Sequence, residues 1–359
     1  MRLALLSLFR TIRLPLGGRD ASVLLLLPVF SMAAWGQLAP SPDAPPVSHA
    51  PAPAPEEESV ATFKVSANLV DLVFTVKDKQ GSLVPHLTKN DCSVLEDKVP
   101  QTLKTFNAEN NLPLTLGILL DTSGSQTRVL PLEQEAGSEF LQQVLRQKDQ
   151  AFALSVDVNV DVLQDLTNSP RLLSRALEKA EINAPGSIGP GPVPTSGDPR
   201  GTVLYDAIYL ASNEKMREET GRKALILLTD GQDEGSRHKI KDAIAAAQKA
   251  NTVVYVILIA DVESYMMAGM GYYGYSAMKE VTEETGGRVI NVGHNAKKLE
   301  EAFQQIQDEL RTQYVATFTP TNTKLDGTFR HLAIECKGDG LKVQVRKGYY
   351  ATVADNGAN

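Results

Sequence analysis

Two runs in the middle of the chain, ALILL (224–228) and VVYVILIA (253–260), are apolar at every position. Successive strand residues point to opposite faces, so runs of this kind fit strands covered on both sides, as in a parallel sheet packed between helices. Between residues 112 and 311 such segments (LTLGILLD, AFALSVD, VDVLQDL, KALILLTD, TVVYVILIA, RVINV) alternate with helical spacing over about 127–147, 170–181, 203–218, 238–250, 276–285 and 296–311. This pattern predicts an α/β domain, a doubly wound and mostly parallel sheet.

The flanks have a different period. VDLVFTVKD, CSVLED and LKTFNA before the centre, and YVATFTP, FRHLAIECKG and LKVQVRKGYY after it, alternate apolar and polar residues with Gly and Asp at the breaks. That spacing predicts short antiparallel strands. Each flank has too few strands to cover its own faces. We expect the two to combine into a β-sandwich-like domain, with the central domain inserted between them.

The N-terminus has four arginines by residue 19, then the apolar run ASVLLLLPVFSMAA (21–34) and small residues at 34 and 36. This is the layout of a secretory signal, and an uncleaved anchor is the alternative. The stretch APSPDAPPVSHAPAPAPEEE (39–58) has the composition of an extended tether. The expected order is a signal over 1–36, a Pro/Ala-rich linker over 37–60, a β flank over 61–110, the α/β domain over 111–311, the second flank over 312–352 and a tail over 353–359. The expected location is secreted, periplasmic or on the cell surface, with membrane attachment only through an uncleaved N-terminal segment.

Charge narrows the partners. The 359 residues carry a formal −7; four arginines against Asp20 give the first 36 residues +3, and −7 less +3 leaves −10 on the rest. Such a chain has no electrostatic footprint for nucleic acid or an anionic surface. Two cysteines, Cys92 and Cys336, are too few for a disulfide scaffold or a thiolate metal site.

In an open parallel sheet, ligands bind beyond the carboxyl ends of the strands. LTLGILLD runs into TSGS, so Asp121, Ser123 and Ser125 sit at alternate positions of a tight strand-to-helix turn. A Pro/Gly stretch delivers Thr202, and ALILL ends in Thr229-Asp230-Gly231. Oxygen-only groups from three loops suit a hard cation. Taken singly, the serines could equally be helix caps and the other residues ordinary loop positions. Asp206, Asp233 and Glu234 lie close by in sequence and read as solvated loop or helix surface, with a supporting role behind the ligands as the alternative.

The joint pattern, DxSxS then T then D, resembles the metal-ion-dependent adhesion site of von Willebrand factor A domains over about 112–311. The resemblance implies that Asp121, Ser123, Ser125, Thr202 and Asp230 hold Mg2+, with Ca2+ or Mn2+ as alternatives. It also implies that an Asp or Glu carboxylate of a protein partner takes the remaining coordination position. VDLVFTVKDKQG, LTKNDCSVLEDKVPQTLKTF, DGTFRHLAIECKG and RKGYY resemble the flanks of the secreted, acidobacterial-type branch of these proteins, in which an aromatic is usual at the position of Cys92.

Other chemistries fit less well. A phosphatase of the haloacid dehalogenase class needs DxD where this chain has Asp121-x-Ser123. Gly269-x-Gly271-x-x-Gly274 starts well past its strand tip and lacks the acidic ribose ligand downstream. The five histidines are scattered and pair with no nucleophile motif. The segment 261–276 leaves the same sheet edge as Asp121 and Asp230. It is rich in glycine and Tyr, so Tyr265, Tyr272, Tyr273 and Tyr275 are candidate partner contacts, with a self-packed loop as the alternative. Cys92 and Cys336 form either a disulfide across the flanks or two buried thiols. The expected function is non-enzymatic, metal-dependent binding of an acidic protein group; the alternative is a structural or assembly scaffold without ligand exchange.

Overall fold

The structure, a computed structural model, describes residues 69–108, 112–183, 201–260 and 272–352. The central sheet has six strands: β5 (Leu114–Asp121), β6 (Gln150–Val156), β7 (Val160–Thr167), β8 (Arg222–Thr229), β9 (Val253–Leu258) and β10 (Val289–Asn291), in the order β10-β9-β8-β5-β6-β7. All neighbours are parallel except β7, which pairs antiparallel with β6 at one edge. This is the doubly wound, mostly parallel α/β sheet that the apolar runs imply.

The period-2 logic is explicit in the packing. Leu116, Ile118 and Leu120 of β5, with Ile226 and Leu228 of β8, turn toward α1 (Leu130–Val144), α2 (Pro170–Glu178) and α6 (Ala296–Arg311). Leu119, Leu225 and Leu227 turn the other way, toward α3 (Leu204–Leu210), α4 (Ile240–Lys249) and α5 (Gly274–Thr285). Gly117 sits in the central strand because a Cβ there would lie 2.5 Å from both Leu225 and Phe152.

Several helix ends differ from the sequence expectation, three of them for reasons the structure shows. Pro131 lacks an N–H and is tolerated only in a first turn, so α1 starts at Leu130 and not near 127. The helix expected to 218 leaves α geometry after Leu210 and runs on as a π-helical turn, Ala211–Met216. Gly274 packs so closely against Asp230 and Gly231 that a Cβ would fall 2.7 Å from the Asp230 carbonyl, and α5 starts there, drawing Tyr275 out of the expected loop into the helix.

The flanks intermingle. β1 (Val70–Lys77), β4 (Leu103–Ala108), β11 (Tyr314–Phe318) and β13 (Lys342–Val345) form one antiparallel sheet ordered β13-β1-β11-β4. β2 (Cys92–Glu96), β3 (Val99–Gln101), β12 (Phe329–Cys336) and β14 (Gly348–Tyr350) form a second, ordered β14-β12-β2-β3. One apolar cluster, including Leu72, Phe74, Val94, Phe318 and Ile334, is shared by both sheets. Cys92 and Cys336 are directly opposed in the β2–β12 ladder and joined by a disulfide that spans 244 residues of sequence. Among the described residues no helix is long and apolar enough to cross a membrane. The expected signal and linker lie outside the described residues.

Candidate metal centre

Asp121 is the last residue of β5 and is 1% exposed. Its Oδ1 accepts from the Ser123 backbone N–H at 3.0 Å, which folds the turn back on itself. Its Oδ2 accepts from Thr229 Oγ1 at 2.6 Å, tying the tip of β5 to the tip of β8. The next residue on β8's side is Asp230, 5% exposed. Burial, together with the Asp230 charge, pushes the Asp121 carboxyl up to about 7, against hydrogen bonds from Ser123 and Thr229 that favour the anion.

The two serines converge. Ser123 Oγ and Ser125 Oγ lie 3.0 Å apart, and Gln126 Nε2 donates to Ser125 Oγ at 3.2 Å. Neither serine caps a helix: the Ser123 side chain makes no cap bond to the short 3-10 turn Gly124–Gln126, and α1 is preceded by Val129. The capping alternative therefore does not account for them. Thr202, 6% exposed, is brought in by a two-way backbone pairing with Glu234, at 3.1 Å from its own N–H and 2.9 Å in return. Gly201 allows this approach, since a Cβ would fall 2.5 Å from the Glu234 carbonyl. Thr202 is thus seated beside the loop that starts with Asp230, and all five motif residues lie beyond the same sheet edge.

This oxygen set fits a hard divalent cation. Two carboxylates crowded out of water repel one another, and a cation between them relieves that repulsion. Among the described residues no three His, Cys, Asp or Glu side chains converge tightly enough to hold an ion by themselves. Serine and threonine hydroxyls would have to complete the coordination here.

Several contributors were not legible as motif residues. Thr229 holds Asp121, as above, and Gly231 N–H donates to the Thr229 hydroxyl at 3.0 Å. Tyr272 OH donates to the Asp230 carbonyl at 2.7 Å, so this tyrosine buttresses the loop that begins at Asp230. Tyr273 and Tyr275 are 74% and 44% exposed on the same rim; Tyr265 lies outside the described residues. Asp206 and Asp233, expected as solvated surface, instead stitch α3 to the Asp230 loop. Asp206 accepts from the Arg237 and His238 N–H groups and from the His238 ring at 2.7 Å, and Asp233 accepts from Tyr205 N–H at 3.0 Å and Ser236 Oγ at 2.6 Å. His238 also stacks on Tyr209, with centroids 3.7 Å apart.

Glu133, in the first turn of α1, was also missed. It is 1% exposed, and both carboxylate oxygens are buried without a hydrogen-bond partner among the described residues. Burial first, then the charges of Asp121 and Asp230, push its carboxyl well above the usual range. The available signal was its place on the apolar stripe of α1, three residues from both Leu130 and Ala136.

The fold and these residues define a doubly wound α/β domain with a candidate cation site at its carboxyl edge, set into a β-sandwich. No protein-family model matches the chain, and no curated protein does. Among solved structures it is similar to the hypothetical protein BatB from Bacteroides thetaiotaomicron, at 18% identity and TM-score 0.41 over 55% of this chain and 99% of that one. It is also similar to proximal thread matrix protein 1 from the mussel byssus, a structure with a zinc-occupied metal-ion-dependent adhesion site, at 15% and 0.44 over 59% of this chain and 48% of that one. A von Willebrand factor type A protein from Catenulispora acidiphila is similar at 12% and 0.43 over 81% and 75%. At these values the reading of the site rests on its own residues.

Proposed function

We propose that the chain is a non-enzymatic binding protein that works outside the cytoplasm. Its candidate centre would hold Mg2+, with Ca2+ or Mn2+ able to substitute, and the ion would take a carboxylate from an acidic residue of a protein partner. One observation carries the reading: two nearly fully buried aspartates from adjacent strand tips share a site with a pair of converging serine hydroxyls. Mg2+ keeps exchangeable waters, and a carboxylate is a strong hard ligand that can replace one. The ion would also offset the repulsion between this acidic chain and an acidic partner. Exposed Tyr273 and Tyr275 on the rim would add contact area.

Calorimetric titration with Mg2+ tests the ion. Asp121→Ala removes a carboxylate ligand and is expected to abolish binding, while Ser123→Ala weakens it less. Unchanged affinity in a folded Asp121→Ala protein would falsify the metal reading. Capture of partners on the immobilised chain, with and without chelator, separates metal-gated binding from a scaffold role.

A further inference from the structure

The helix after the metal loop has an apolar stripe formed by Leu130, Ala136, Phe140, Leu141 and Val144, all buried against the sheet. Glu133 interrupts that stripe. A carboxylate among hydrophobic neighbours is costly unless something compensates it, and neither of its oxygens has a hydrogen-bond partner among the described residues. A second acceptor orphaned among the described residues, nearer the turn, is Gln126 Oε1, also buried, on the residue whose amide nitrogen contacts Ser125. Three buried acceptor atoms flank the loop, and among the described residues they find no donor.

Direction narrows where that donor stands. A helical side chain leans toward the N-terminus of its own helix, so Glu133 leans from the first turn of α1 back toward the 123–129 segment, and the charges acting on it are Asp121 and Asp230. It does not join those two aspartates in a cluster tight enough to ligate an ion directly. A carboxyl placed behind the ligands, which offers two acceptors once a cation nearby favours its ionised form, matches the role of receiving hydrogen bonds from water on a bound cation.

We propose that Glu133 is a third carboxylate of the metal centre, one water removed from the ion, accepting a hydrogen bond from an ion-bound water and so positioning that water and raising the affinity of the site. The inference rests on the metal reading above and concerns this chain's own departure from the five-residue motif. Glu133→Gln keeps the shape and removes the charge. In calorimetric titrations of the full chain with Mg2+, its Kd should rise ten- to a hundredfold, the range seen when partners of metal ligands are removed. In chelator, its melting temperature should equal or exceed that of the unsubstituted chain, because the buried charge is then only a burden. Unchanged Mg2+ affinity in folded Glu133→Gln overturns the proposal while leaving the metal reading intact. No Mg2+ binding by the unsubstituted chain overturns both. Should the variant not fold, a Mn2+-soaked crystal of the unsubstituted chain decides: a Glu133 oxygen within hydrogen-bond distance of an ion-bound water supports the role, and a carboxylate turned away from the ion ends it.

Discussion

Removing the charge of Asp121 should stabilise the metal-free protein, although Asp121 is the central candidate ligand. Its carboxyl is raised from 3.8 to about 7 by burial and by the Asp230 charge. The folded chain therefore holds this proton more tightly than the unfolded chain does. The cost of ionising it is absent below pH 3.8, grows as the pH climbs toward about 7 and is complete above that. A shift of this size corresponds to about 4 kcal/mol. Asp121→Asn removes that cost. It still accepts from the Ser123 N–H, but it presents an amide where Thr229 Oγ1 now donates, which forfeits about 1 kcal/mol. The net expectation in chelator at pH 8 is a gain of about 3 kcal/mol, or roughly 5–10 °C in melting temperature for a domain of this size. At pH 4 the sign reverses, since only the lost hydrogen bond remains. Thermal melts by circular dichroism from pH 4 to 8, with chelator and then with Mg2+, test both limbs. Mg2+ should raise the melting temperature of the unsubstituted chain and leave Asp121→Asn unmoved. A variant no more stable than the unsubstituted chain at pH 8 in chelator would refute the electrostatic argument. Equal stabilisation of both proteins by Mg2+ would remove Asp121 from the ligand set.

Two further outcomes are expected. Tyr272→Phe deletes one hydrogen bond to the Asp230 carbonyl; it should cost about 1 kcal/mol in urea unfolding and weaken Mg2+ binding severalfold, and unchanged affinity would show that the loop needs no buttress. The Cys92–Cys336 bridge spans 244 residues, so the chain-entropy model puts the loss on replacing both with serine at up to about 5 kcal/mol; non-reducing peptide mapping should yield the cross-linked pair, and free thiols there would contradict it.

The sheet was legible because its strands are buried on both faces. A run such as ALILL has no polar side to offer solvent, and it became β8 with alternate residues in two separate cores. Asp121, Ser123 and Ser125 were legible because a tight turn places alternate residues together, which needs no long-range information. Glu133 and Tyr272 were hidden for the opposite reason. Nothing near Tyr272 in sequence says that its hydroxyl reaches Asp230, 42 residues away. Glu133 carried a signal in its helical period that reads as a polar flaw unless the Asp121–Ser125 turn is seen to lie beyond it. The helix boundaries moved where Pro131 and Gly274 set local geometry, which periodicity does not register.

The way the two domains join bears on what the site can do. The chain enters the central sheet from β4 at the start of β5 and returns from the end of α6 to β11, so both crossings lie at the amino edge of the parallel strands. The side-chain contacts agree. Glu309, near the end of α6, receives Lys77 at 2.8 Å, Arg288 at 2.6 Å and Gln344 at 3.2 Å, and Lys347 N–H reaches the Glu284 carbonyl at the end of α5. Asp121, Thr202 and Asp230 sit at the carboxyl edge of the same strands. A parallel sheet forces these edges to opposite ends of the domain, so the sandwich anchors one end while the candidate site and the exposed tyrosines face away from it. A partner could approach the ion without displacing any sandwich strand. A protein whose sandwich residues were varied should therefore lose stability before it loses Mg2+ affinity, and a coupled loss of both in the folded state would contradict the separation.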